Sequence, residues 1–319
     1  MNARTSILLC VALAAAFVPA LIVPLQPLLE VDRNLASAVL VELRLPRALL
    51  ALVYGAMLGA SGAAIQALFA NPLASPDLTG TTSGAALGAV VTAYLFGFAA
   101  PVALSIGSVV GALGALVLLI TLAGPKAETA TLLLSGLAIS ALAGALTTLA
   151  LALAPSPFAF YDAYDWLMGS LIDRSLDQAA FAAVPAVLTI AVLLRLGPAL
   201  DRLALGEEVA QSLGDNIVRL RLMVICLSAL GVGACVAICG AIGFIGLIAP
   251  IFARRLTRGH PGRAILASAL IGALLLSLAD LTVRLAPLGR TLPIGVVTAL
   301  IGAPFFLWLV AHMRWRLSA

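Results

Sequence analysis

The sequence predicts an all-α integral membrane protein with about ten transmembrane helices in one domain, and three observations carry that expectation. Of its 319 residues 63% are hydrophobic and only 10% are charged, whereas soluble domains carry roughly 25% charged residues. With a mean hydropathy of +1.16, the chain cannot cover a globule of its size with polar surface. Second, apolar runs recur near the ~20 residues that cross a bilayer as a helix, without the ~10-residue alternation of a membrane β-barrel. Third, arginines gather at the ends of the runs and supply most of the net charge of +4. That pattern sets orientation in a membrane and does not suggest nucleic-acid binding.

Taken in order, Ser6–Pro24 is the first apolar run, preceded by Arg4. It has the look of a signal peptide with a cleavage point near VPA, but the run is long for one and a full set of spans follows. It is expected to stay as a first helix. Gln26–Pro46 is mixed and holds Arg33 and Arg44, with Arg47 just beyond. The second span, Arg47–Ala70, carries Gly55 and Gly59 as a GxxxG with Gly62 close by, a spacing that lets helix backbones approach closely in lipid. Asn71–Gly80 is a turn by composition, with two prolines, Asn71, Asp77 and a closing glycine. Spans follow at Gly80–Phe98, Pro101–Ala123 and Ala130–Ala154, with Lys126 and Glu128 in a gap. Pro155–Gln178 is an acidic loop whose Tyr161 and Trp166 suit an interfacial belt. Ala179–Gly197 and Leu220–Gly240 are the sixth and seventh spans.

Ala241–Arg254 is short and broken by Gly243, Gly246 and Pro250, so a re-entrant segment is one reading. If it did not cross, the basic cluster Arg254–Arg263 would lie opposite the basic region Arg195–Arg221. The positive-inside rule wants both on one side, so the segment is expected to cross. Ala264–Val283 and Pro293–His312 complete the set, with both termini in the cytoplasm and the acidic loop outside.

One polar island interrupts this pattern: Leu203–Arg221, LALGEEVAQSLGDNIVRLR. Glu207 and Glu208 follow Gly206, where a helix starts with its first-turn acids at the positive end of the dipole. Val209 and Leu213 fall one turn apart as an apolar stripe, with Ala210 between them. Gly214 is a natural stop, and Asp215 or Asn216 can cap the next helix. The island reads as a compact knob outside the bilayer, either a solvated loop or a docking surface for a soluble partner.

Motifs for chemistry are absent. There is no GxxxxGK[ST] for a P-loop, no HExxH and no GxSxG. The four cysteines lie in spans without CxxC or paired histidines, so they read as packing residues, and no metal site is expected. Asp280 is an acid within a span, with Arg284 one turn later near the helix end, which reads as a structural ion pair. On the fifth span Gly136, Ser140, Gly144 and Thr148 recur every fourth residue and make a smooth face. Close helix packing explains such a face as well as a lining past which a large solute slides.

RLPRALLALVYGAMLGASGAAIQALFANPLASPDLTGTTSGAALGAV resembles the signature of the iron-siderophore, haem and cobalamin class of ABC importer permeases, the FecCD type. GEEVAQSLG, GAIGFIGLIAP, LADLTVR and LPIGVVTALIGAPFFLWL continue the likeness in the family's order through most of Arg44–Val310. The resemblance implies a type II ABC importer permease fold in the bacterial inner membrane. It further implies a second permease subunit (the same chain or a related one), two cytoplasmic ATPase subunits that bind ATP and magnesium, and a periplasmic substrate-binding protein. The chain itself would bind no cofactor and catalyse no reaction. By the same likeness, Gly206, Glu207, Glu208, Val209, Ala210, Leu213 and Gly214 are ATPase-coupling residues, within a coupling region at about 203–217. Arg44, Arg47 and Arg290 meet glutamates of the binding protein, while Gly136, Ser140, Gly144 and Thr148 are the candidate translocation path on their spacing alone, with close packing still open. Ile251 departs from the family, which usually has histidine after GLIAP, so no role of that histidine carries over. The rival class is an ion-coupled secondary transporter of a small solute, which would need several intramembrane acids or broken-helix ion sites. A membrane-embedded enzyme is more distant.

Overall fold

The computed structural model describes residues 3–22, 33–94, 96, 101–124, 129–285 and 292–317, and those residues form helices and turns without a strand. The helices are α1 (Ala3–Ile22), α2 (Arg33–Ala38), α3 (Leu45–Leu68), α4 (Thr81–Tyr94), α5 (Pro101–Ala123), α6 (Thr129–Ala152) and α7 (Pro157–Leu167). After them come α8 (Leu176–Leu203), α9 (Glu207–Ser212), α10 (Ile217–Cys239), α11 (Ile245–Leu256), α12 (Pro261–Leu285) and α13 (Ile294–Leu317). Asn34–Leu68, α5, α6, α8, α10 and α12 supply apolar stretches long enough to cross a bilayer, and α1 and α13 supply shorter ones.

The bundle is organised on α3, which packs most extensively against the antiparallel α12. Glycine makes that approach possible. A Cβ on Gly55 would lie 2.4 Å from the carbonyl oxygen of Gly272, and one on Gly59 would lie 2.1 Å from that of Ser268. Ser268 Oγ closes the contact by donating to the Gly59 carbonyl at 2.7 Å. The GxxxG spacing thus does in the fold what it promises in sequence. A second glycine seam, Gly84 and Gly88 on α4 against Gly111 and Gly107 on α5, builds the neighbouring hairpin the same way.

Two segments differ from the expectation, and a third adds to it. Residues within Gln26–Pro46 are helical from Arg33, and Val39–Arg44 is a π-helical turn. The cause is Pro46, which has no N–H for the ladder; the widened turn closes instead through Leu45 N to the Leu40 carbonyl. The acidic loop contains α7, capped by Ser156 and exposing Phe158, Tyr161 and Tyr164 while Trp166 packs on the core. The turn Asn71–Gly80 is a turn as expected, and it packs into the bundle. Ala74, Pro76 and Thr79 are buried, Leu78 lies against Gly136, and Ser140 Oγ donates to the Asp77 carbonyl at 3.2 Å. Those contacts fall seven and eleven residues into α6, roughly 10–17 Å from its start.

The doubtful span does traverse the molecule. Gly240 abuts the Trp166 carbonyl at one end, and Gly262 N donates to Asp201 Oδ1 at the other, 2.8 Å away. With 12 residues, α11 covers only about 18 Å, and the non-helical stretch 240–244 covers the rest. Backbone that leaves the helix at membrane depth needs internal partners, and Tyr54 supplies them: its hydroxyl donates to Gly240 O and accepts from Ile242 N. Phe244, at φ +66°, turns the chain into α11 and packs against Gly302. The Arg254–Arg263 cluster therefore shares an end with the polar island, as the charge argument requires.

Candidate functional site

The two ends of the bundle carry different chemistry. At one end the polar island forms the expected knob. Gly206 (φ +112°) breaks α8 from α9, and Gly214 (φ +92°) breaks α9 from α10, conformations that side chains with a Cβ rarely adopt. Of the two cap candidates, Asn216 is the one used: its Oδ1 accepts from Arg219 N at 2.9 Å. Asp215 instead pairs with Arg202 on α8, fork to fork, at 2.6 and 2.7 Å. This bidentate hydrogen bond holds the Asp215 carboxyl below the usual carboxylate range. Arg221 on α10 pairs with Glu207 on α9, and Asp201 takes the backbone N–H of Gly262 at the start of α12.

The knob is therefore bolted to α8 and α10 by polar contacts that leave its tip free, and α8 is tied to α12 just before the knob begins. Ala210 is fully buried and seats α9 on the bundle, while Leu205, Val209 and Leu213 are 67%, 42% and 57% exposed. Glu208 is exposed beside them. Three apolar side chains on a polar projection have the chemistry that suits protein docking: none is buried among the described residues, and the braces hold them in fixed relation.

At the opposite end Arg47 Nε donates to Asp280 Oδ1 at 2.7 Å. Arg284 Nε lies 3.1 Å from Oδ2, an ion pair too poorly angled for a hydrogen bond. Asp280 is buried. Arg284 and Arg44 donate to the carbonyls of Ala20 and Leu21, in the last turn of α1, where cations are favoured by the helix dipole. Arg290 lies outside the described residues, as does Lys126.

The predicted small-residue face on α6 divides in two. A Cβ on Gly136 would meet the Leu78 carbonyl at 2.0 Å, so this glycine is a packing contact, and Ser140 is tied to the same loop. Gly144 faces open space, and Thr148 is exposed with its hydroxyl on the Gly144 carbonyl. A cavity of about 400 Å³ lies between α4, α5 and α6, but it is lined by Ile139, Ala143 and Leu146, not by these four residues. Among the described residues no three His, Cys, Asp or Glu side chains converge as a metal site.

Sequence reasoning found the knob and paired Asp280 with Arg284, but it missed three contacts: Arg202–Asp215, Asp201–Gly262 and Arg47–Asp280. The last joins residues 233 apart in the chain, and no local spacing announces it.

Comparison with known proteins agrees with this architecture. The model of the FecCD transport family matches residues 5–312. A vitamin B12 import system permease protein of Vibrio cholerae is 42% identical over 282 residues, 85% of this chain and 82% of that one. The Fe(3+)-citrate import system permease protein of Bacillus subtilis is 39% identical over 270 residues, covering 84% and 80%. A metal-chelate type ABC transporter solved in an inward-facing conformation superposes with a TM-score of 0.88 at 33% identity, covering 98% of this chain and 100% of that one.

Proposed function

The chain belongs to the FecCD transport family, and on that premise we propose that its cargo is an iron chelate, a ferric siderophore or haem, moved from periplasm to cytoplasm. It is a multi-pass permease subunit of an ABC importer in the inner membrane, and ATP hydrolysis belongs to a separate subunit. The knob at 203–217 is the seat for that ATPase, so this end and both termini face the cytoplasm. The observation that carries the assignment is the exposed Leu205–Val209–Leu213 tip on a knob braced to both α8 and α10. ATP and magnesium bind on two such ATPase subunits. Their closure moves the knob as a lever; its braces pass the motion to α8 and α10, and the Asp201–Gly262 contact passes it on from α8 to α12.

A second permease subunit completes the path, with the open positions Gly144 and Thr148 facing it and the Gly136–Ser140 portion fixing the buried loop beside it. The opposite end meets the periplasmic binding protein through Arg44, Arg47 and Arg290. A loaded binding protein shifts the equilibrium only through contacts that differ between states, and tight solute affinity resides there. The relative named for Fe(3+)-citrate supports iron, while the relative named for vitamin B12 makes cobalamin the competitor. The test is the affinity of the system's own binding protein for a panel of ferric chelates, haem and cobalamin. Submicromolar binding of a ferric chelate or haem supports the proposal, and selective cobalamin binding overturns the cargo.

A further inference from the structure

Asp280 is one of the most buried charged side chains at the arginine end, and its surroundings assign it more than an ion pair within α12. Its two oxygens are divided, Oδ1 to Arg47 on α3 and Oδ2 to Arg284 one turn along its own helix. Arg284 is already committed to the end of α1 through the Ala20 carbonyl, and Arg44 to the neighbouring Leu21 carbonyl. Arg47 is different. It is held only through Nε, and among the described residues its two terminal nitrogens donate to no protein acceptor. A guanidinium gripped at Nε still offers its Nη pair as a fork for a second carboxylate. Its side chain is 16% exposed while that of Asp280 is 2% exposed, so the arginine and not the aspartate is open to a carboxylate arriving from outside the subunit.

We propose that Asp280 is a positioning residue for docking: from within the bundle it clamps Arg47, so that the free edge of this one arginine is set in advance for an acidic side chain of the periplasmic binding protein. The inference rests on the docking role of the outward arginines and assigns the work among them. Arg47 is the preorganised contact, and Arg44 is chiefly a cap for α1. A long side chain that is already fixed loses little rotamer freedom on docking, and such gains show mainly as slower dissociation. Simple neutralisation predicts the reverse sign: removing Asp280 would leave the end more positive and speed encounter with an acidic partner.

The experiment uses the permease–ATPase complex in lipid nanodiscs and the binding protein of the same transport system, with association and dissociation rates followed across a salt series. Asp280→Asn is compared in the native background and in Arg47→Gln, with thermal unfolding of each complex as the check on folding. The expected result is dissociation about five- to tenfold faster for Asp280→Asn, and no further change when Arg47→Gln is already present. If Arg47→Gln speeds dissociation but Asp280→Asn does not, or if the two effects multiply, the positioning role is wrong and the docking role stands. If Arg47→Gln changes neither rate, the docking role itself fails, and the positioning role with it. Because Asp280→Asn strands two guanidinium groups, Asp280→Asn with Arg284→Gln runs the same comparison with one fewer buried charge on each side. Loss of folding in both variants overturns the proposal in favour of a purely structural carboxylate.

Discussion

Truncating Val209 and Leu213 to alanine tests whether the knob tip is an interface, and the structure sets the size of the effect. Both side chains project from a short helix held by the buried Ala210 and by ion pairs from Glu207 and Asp215, neither of which the substitutions touch. Docking would bury what is now exposed, 42% of Val209 and 57% of Leu213. At about 0.8 kcal/mol per buried methylene, the groups removed are worth about 0.7 kcal/mol at Val209 and about 1.4 kcal/mol at Leu213. Together that is about 2 kcal/mol, or roughly thirtyfold in ATPase affinity. Arginine at both positions should abolish the complex, since two guanidinium groups would be desolvated without partners. The assay is titration of the detergent-solubilised permease with its ATPase subunit, alongside thermal unfolding of the permease alone. Unchanged affinity for the double alanine variant, with the arginine variant still co-purifying, would refute the reasoning. Unfolding of the permease alone should not move by more than a degree or two, because neither side chain is in the core.

Gly144→Trp should fold and assemble yet block uptake, because Gly144 faces open space, whereas Gly136→Ala should lower stability by about 1–3 kcal/mol through its collision with the Leu78 carbonyl; comparing uptake with assembly in each variant separates path from packing. Asp215→Asn should leave the ATPase bound but weaken coupling of hydrolysis to transport, measured as solute moved per ATP hydrolysed, because the Arg202 brace loses its charge. The pH dependence follows from the same pair: the folded carboxyl is lowered by Arg202, so the brace is intact above about pH 4 and is lost only as pH falls through the lowered value. Coupling should therefore be insensitive to this group between pH 5 and pH 8, a range assayed by stopped-time uptake. Reversing Arg47 and Arg290 to glutamate should slow association of the binding protein and weaken its salt dependence; unchanged kinetics at low salt would return these arginines to the lipid interface.

Much of the architecture was legible because membrane helices announce themselves by apolar length and by what punctuates them. The Gly55–Gly59 seam was legible for a related reason, since only small residues allow the backbone approach seen against Gly272 and Ser268. The knob was visible as polarity in the wrong place, and its glycines fell where the chain turns. What stayed hidden was long-range. Arg47 and Asp280 meet only once α3 and α12 are antiparallel, and Asp215 read as a helix cap until Arg202 came within reach. The turn at 71–80 was legible but its burial was not, because proline, asparagine and glycine report backbone conformation and not depth. The small-residue face on α6 stood for both packing and path, and the structure shows why spacing could not choose: Gly136 is packed and Gly144 is open on the same stripe.

Uptake by sealed proteoliposomes containing the permease and its ATPase, with binding protein and labelled ferric chelate on the binding-protein side, tests the central claim most directly. The account predicts uptake that requires ATP on the knob side, needs the binding protein, and is unchanged when a protonophore collapses ion gradients. Uptake that persists without the ATPase and follows an imposed proton or sodium gradient would contradict it.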